Sequence, residues 1–312
     1  MGGLELCEKF YNAYGKEALC AEFSDVLSRI AVGLVGQGSE CFGFDDALSQ
    51  DHDFEPGFCL WVTKADYDDF GFRLERMYAK LPKEFKGFHR LTLSPVGGSR
   101  HGVFCIEDFY ASFLGSPSAP VSPEHWLSIP PHALACACNG KVFRDDAGIF
   151  SAIRNVLLLG YPEDVRLKKI AAHAAMMAQT GLYNYGRCLS RGENGAAQLC
   201  VFAFVKHAIS LIYLLNNQYE PFYKWVYKGM RGLPLLSSLE KDLVVLSEGG
   251  NTPAEATAKK KSMEKICHAF SNEFKEQNLI ADTGCDFEKH AFLIQDKIAD
   301  PSLRNMHIME AI

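Results

Sequence analysis

Apolar positions in the first third of the chain follow two rhythms. Phe10 to Ala31 and Ala65 to Leu81 have the three-to-four spacing of amphipathic helices. Short apolar runs at Ile30–Gly36, Phe58–Val62, Arg90–Leu93 and Gly102–Ile106 have the length of buried strands bounded by turn residues. The first run ends in glycine, so that strand is expected to enter a tight turn. Gln37 to Gln50 has little regular pattern and reads as a loop. After it, Asp51-His52-Asp53-Phe54 alternates as a strand does when it exposes two carboxylates on one face.

The pattern changes beyond the proline-rich stretch Ser116–Pro131. From Gly148 onward nearly every segment has helical spacing: 149–159, 162–180, 195–216, 220–230, 235–248, 253–278 and 287–299. Pro162 followed by Glu163 and Asp164 is a helix start, because proline loses nothing at the first helical position and acids favour the positive end of the dipole. The pattern therefore predicts an α+β chain in two domains. Residues 1–145 form a mixed sheet with flanking helices, and residues 146–312 form an all-α helical bundle.

Composition narrows the function classes. With 312 residues, 48% hydrophobic and 22% charged, the chain has the make-up of an ordinary globule, which excludes disorder and fibre. A net charge of −6 gives no broad footprint for nucleic acid or anionic lipid, so small molecules or proteins are the expected partners and RNA ranks last. Eleven scattered cysteines without a Cys-x-x-Cys pair suit a reducing, cytoplasmic setting. Cys136 and Cys138 beside His132 offer a metal half-site, and two strand positions on one face are the plainer reading. The N-terminus lacks the long apolar stretch of a signal peptide or anchor, and Leu199–Leu215, interrupted by Lys206 and His207, reads as a buried helix. Lys259-Lys260-Lys261 reads as a solvated helix face.

Candidate chemistry lies in Leu34-Val35-Gly36-Gln37-Gly38-Ser39, followed, after the eleven residues from Glu40 to Gln50, by Asp51-His52-Asp53. A Gly-Ser turn after a strand presents backbone N–H groups and a hydroxyl to phosphate oxygens, since glycine lets the main chain approach closely. Two carboxylates on one face can share hard divalent cations. Together they suit a nucleoside triphosphate. The order resembles the nucleotidyltransferase superfamily, of the kanamycin-nucleotidyltransferase and polymerase-β type, with Gly38, Ser39, Asp51 and Asp53 on the motif positions and His52 where an apolar residue is usual. Gly38 to Gly57, Phe143–Asp146, Arg154 with Tyr161-Pro162, Tyr183-Asn184 with Arg187 and Arg191, and Asn217–Trp225 also resemble domain-of-unknown-function family 4037, across residues 25–235.

The resemblance implies a nucleotidyltransferase-type domain followed by a helical substrate domain. It also implies two Mg²⁺ ions held by Asp51 and Asp53, and transfer of a nucleoside monophosphate to a hydroxyl with release of pyrophosphate. A third carboxylate is usual, and Glu107 and Asp108 after the fourth strand are the candidates, a helix start being the other use for them. Lys224 is the first choice for a cation on the leaving phosphates. Tyr219 and Trp225 beside it can stack a base or sugar, and Arg187 joins them as nucleotide-binding. Arg154, Lys168, Lys169 and Arg191 could line the cleft or be surface charges.

Rival motifs fail on sequence. No G-x-G-x-x-G opens a helix, Gly-Lys-Ser/Thr is absent, and Ser39 is not in G-x-S-x-G. The expected partners are a nucleoside triphosphate and a small-molecule hydroxyl acceptor, with no membrane and with oligomers open. The alternatives are a nucleotide sensor or protein-binding module without turnover, and a transferase acting on a protein hydroxyl.

Overall fold

The computed structural model describes residues 1–51, 54–90, 100–281 and 286–311, the side chains of Gln50 and Asp51 excepted. The chain divides into two compact units, Met1–Val121 with Ile129–Leu159, and Ser122–Ser128 with the chain from Gly160 onward. The helix over 149–158, read from sequence as part of the helical domain, thus clusters with the sheet.

The first unit opens with α1 (Gly3–Phe10), which runs through a π turn into α2 (Lys16–Glu22). Next come β1 (Ala31–Leu34), α3 (Ser39–Phe42), β2 (Cys59–Val62), α4 (Lys64–Asp66) and α5 (Phe72–Lys80). A small hairpin of β3 (Glu84–Phe85) and β4 (Phe88–His89) precedes β5 (Gly102–Cys105) and α6 (Ile106–Leu114). α7 (Pro123–Ser128) belongs to the second unit, and the first closes with α8 (Pro131–Cys138), β6 (Lys141–Arg144) and α9 (Ile149–Leu158).

The main sheet has the order β5-β2-β1-β6. β1 is antiparallel to β2, with Ala31 opposite Trp61 and Gly33 opposite Cys59, and antiparallel to β6. β2 is parallel to β5, with Cys59 opposite Gly102 and Val62 opposite Cys105. The sheet is therefore mixed, and the C-terminal end of β1 shares one sheet end with the starts of β2, β5 and β6. Every residue of β1 and β2 is buried, which is why these strands read as continuous apolar runs instead of alternating ones. Phe10, Leu19, Leu60, Val62, Leu74 and Met77 belong to the core cluster of this unit.

Several sequence expectations shift. The helix expected over 10–31 ends at Glu22, and a 3₁₀ turn at Leu27–Arg29 leads into β1. The loop expected over 37–50 contains α3 and a 3₁₀ turn, Ala47–Asp51, so Asp51 ends a turn instead of opening a strand. His52, Asp53 and the run 91–93 lie outside the described residues. Cys136 and Cys138 are not strand positions. They lie on α8, where Pro131 at the first turn and three alanines favour helix, and two residues apart there they do not share a face.

The second unit contains α10 (Glu163–Met177), a π segment (Ala178–Asn184), α11 (Tyr185–Ser190), α12 (Asn194–Leu215), α13 (Val226–Met230), α14 (Glu240–Glu248), α15 (Pro253–Glu276), α16 (Phe287–Gln295) and α17 (Pro301–Arg304). α12 is long and apolar enough to cross a membrane, yet two thirds of its most apolar window is buried within this fold. α10 is buried nearly all round, its lysines included. Lys168 is fully buried and donates to His307 O at 2.6 Å and Gln295 Oε1 at 2.9 Å, so it serves the core instead of a cleft. Lys259 departs from the solvated face expected of it. It is buried and donates to Gly249 O at 2.6 Å, while Lys260 and Lys261 are exposed.

Candidate functional site

The turn after β1 is built from two glycines in conformations that side chains disfavour, Gly36 at φ 131° and Gly38 at φ 135°. It is braced from a distant part of the chain. Gly36 N–H donates to Asn139 Oδ1 at 2.9 Å, and Asn139 Nδ2 donates back to Gly36 O at 2.8 Å. Gly140 N–H donates to Cys41 O at 2.8 Å. Arg154 in turn donates to the carbonyls of Asn139 and Gly140 at 3.1 and 3.2 Å. Arg154, a cleft candidate by sequence, therefore supports the brace.

Ser39 follows as the first residue of α3, half-buried, and its hydroxyl has no hydrogen bond among the described residues. Glu40 is buried and folds its carboxylate over Gly38, in the space a Cβ would fill: that atom would lie 2.2 Å from Glu40 Oε1. Burial raises the Glu40 carboxyl above its ordinary range, while its own backbone N–H, Arg100 and His101 oppose the rise. Arg100, just before β5, lies 3.4 Å from Glu40 Oε1. Next to it the buried His101 pairs its Nδ1 with Glu55 Oε1 at 3.1 Å. Burial alone would lower this imidazole's pKa, but Cys7 and Glu55 reverse the effect and hold it at about 9.

A cavity of about 460 Å³ opens beside the turn. Gly36, Gln37 and Arg100 line one part, Tyr67, Phe109 and Phe113 supply aromatic surface, and Asp108 lies at another part. Such a volume, with aromatic walls and with Gln37, Lys64, Arg100 and Asp108 in its lining, suits a small polar or charged ligand.

The predicted residues are not all brought together. Gly38 and Ser39 stand at the sheet end where β2 and β5 begin. Glu107 stands beyond the other end of β5, a four-residue strand that spans about 10 Å. There it accepts a hydrogen bond at 2.9 Å from the N–H of Lys64, the first residue of α4, whose N-cap is Thr63. Asp51 ends its turn without a described side chain, and Asp53 lies outside the described residues. In the second unit Lys224 Nζ stacks on Trp225, 4.5 Å from the ring centroid, and Tyr219 packs edge-on against Tyr161 at 4.9 Å. Arg187 covers the Tyr183 ring at 4.8 Å.

Glu40, Arg100 and Asn139 were missed from sequence. Asn139-Gly140 is a turn dipeptide, which was the one available signal. No group of three or more His, Cys, Asp or Glu side chains suited to a metal occurs among the described residues.

A family model described as a domain of unknown function (DUF4037) matches residues 126–226. No curated protein matches the chain. A solved structure titled as a nucleotidyltransferase-like protein from Exiguobacterium sibiricum 255-15 is similar at 11% identity, covering 86% of this chain and 81% of that one with a TM-score of 0.37, too weak to bear on function.

Proposed function

We propose that the chain is a Mg²⁺-dependent nucleotidyltransferase that moves a nucleoside monophosphate from a triphosphate to a hydroxyl on a small molecule. The observation that carries the reading is the braced Gly36–Ser39 turn beside an aromatic-walled cavity with Arg100 at its edge. Backbone N–H groups and the Ser39 hydroxyl hold phosphate oxygens, and Arg100 adds a fixed positive charge where pyrophosphate separates. Tyr67, Phe109 and Phe113 give the nucleoside an apolar wall.

Ser39 and, by sequence, Asp51 and Asp53 supply oxygen donors of the kind a hard cation takes. Asp51 and Asp53 would hold Mg²⁺, which when bound supplies Lewis-acid stabilisation of the phosphates and a more acidic acceptor hydroxyl. Glu107 is engaged by Lys64 N–H, which leaves Asp108 in the cavity wall as the third-carboxylate candidate, and a nucleotide sensor without turnover is the second reading. Incubation with Mg²⁺ and each ribonucleoside triphosphate separates the two. Pyrophosphate release that vanishes in Asp51→Ala/Asp53→Ala supports transfer, ligand stabilisation without release supports the sensor, and neither effect at millimolar triphosphate rejects both.

A further inference from the structure

The second unit has a cationic concavity independent of the glycine turn. Where α10 ends, the chain enters the π segment Ala178–Asn184 and resumes as α11. Such insertions are rare and frequently mark functional positions. Tyr183 lies in the segment, Arg187 one turn later, and Arg191 one turn beyond that. Lys260 of α15 reaches the same place. With Ser190 these four line a shallow cavity of about 450 Å³ that has no acidic residue in its wall.

Three cations converge there in a chain of net charge −6. None is ion-paired among the described residues. Arg187 lies over the Tyr183 ring at 4.8 Å and donates to its hydroxyl, so its guanidinium is held in place while further N–H groups remain available. Tyr183 is 58% exposed, and Gly186 leaves the floor open beneath Lys260. Like charges gathered without counter-charges repel, and a bound anion relieves that repulsion. Two guanidiniums fit a phosphate geometrically, and an ammonium adds a point charge. The patch is too small for a nucleic-acid track and is sized for one or two phosphate groups.

We propose that Arg187, Arg191 and Lys260 form a binding site for the phosphate group of a small molecule. It stands whether or not the first unit transfers nucleotides. Inorganic pyrophosphate titrated calorimetrically into the full chain, in EDTA at low ionic strength, is expected to bind. Affinity falls at least about tenfold in Arg187→Gln/Arg191→Gln and in Lys260→Gln, weakens with added salt, and persists in Arg100→Gln. Lys260→Gln sits on a separate helix, so misfolding of the double variant cannot hide the answer. A nucleoside monophosphate arm identifies the source: binding tighter than inorganic phosphate, and weakened by Tyr183→Leu, indicates a nucleotide, and equal binding indicates free phosphate. Equal pyrophosphate affinity in wild type and both cation variants, binding lost only in Arg100→Gln, or no binding at millimolar concentration overturns the proposal.

Discussion

Gly38 is the residue on which the site turns. Its φ of 135° is glycine territory, and the Glu40 carboxylate occupies the space of a missing side chain. Alanine there is expected to cost about 1–3 kcal/mol, mostly through the backbone, since the Glu40 side chain can move. Asn139 matters in a different way. Asn139→Ala removes both hydrogen bonds to Gly36 and leaves buried backbone groups unsatisfied, for a loss of about 1–3 kcal/mol readable in urea denaturation. Asn139→Asp keeps the acceptor and loses the donor, so it should fall between alanine and wild type. A stability equal to wild type in Asn139→Ala would mean the turn holds itself.

At the scale of elements, the register of β2 and β5 decides what Glu107 can do. Glu107→Ala is expected to lower stability by about 1 kcal/mol through the lost hydrogen bond from Lys64 N–H, without changing any triphosphate-induced rise in melting temperature. A lost rise would return Glu107 to the site. Thr252 caps α15 in a capping box with Glu255, and Thr252→Ala should cost about 1 kcal/mol in the same assay. Elements with strong local signals were legible in the sequence: β1, β2 and β5 from their apolar runs, α10 from Pro162, α15 from Pro253. The elements that misread were governed by distant partners. α8 carries alanine and cysteine in a pattern that fits strand or helix. The 3₁₀ turn ending at Asp51 has no periodicity to declare it. Asn139 reaches Gly36 across 103 residues, and no local pattern carries that pairing.

For the molecule as a whole, a loss of stability on mild acidification should come from a histidine pair in the second unit. His173 and His207 meet on α10 and α12, Nδ1 to Nδ1 at 2.9 Å, both buried, with Lys169 and Lys206 nearby. Burial lowers both pKa values, that of His207 to about 4. The unfolded chain then binds protons that the folded one does not. The pair's contribution is intact above the unfolded value near 6.5 and is lost as pH falls toward 4. Urea midpoints of wild type and His173→Phe/His207→Leu across that range check it, and the variant should lose less stability on acidification. Identical slopes would show that carboxylates alone carry the acid response.

If the Gly36–Ser39 turn is a phosphate cradle, a side chain at position 38 should abolish triphosphate binding. The melting temperatures of wild type and Gly38→Ala are measured with and without millimolar ribonucleoside triphosphate and Mg²⁺. At least one triphosphate is expected to raise the wild-type melting temperature, and the folded Gly38→Ala protein is expected to show no such rise. An equal rise in both proteins, or none in wild type with any of the triphosphates, contradicts the cradle.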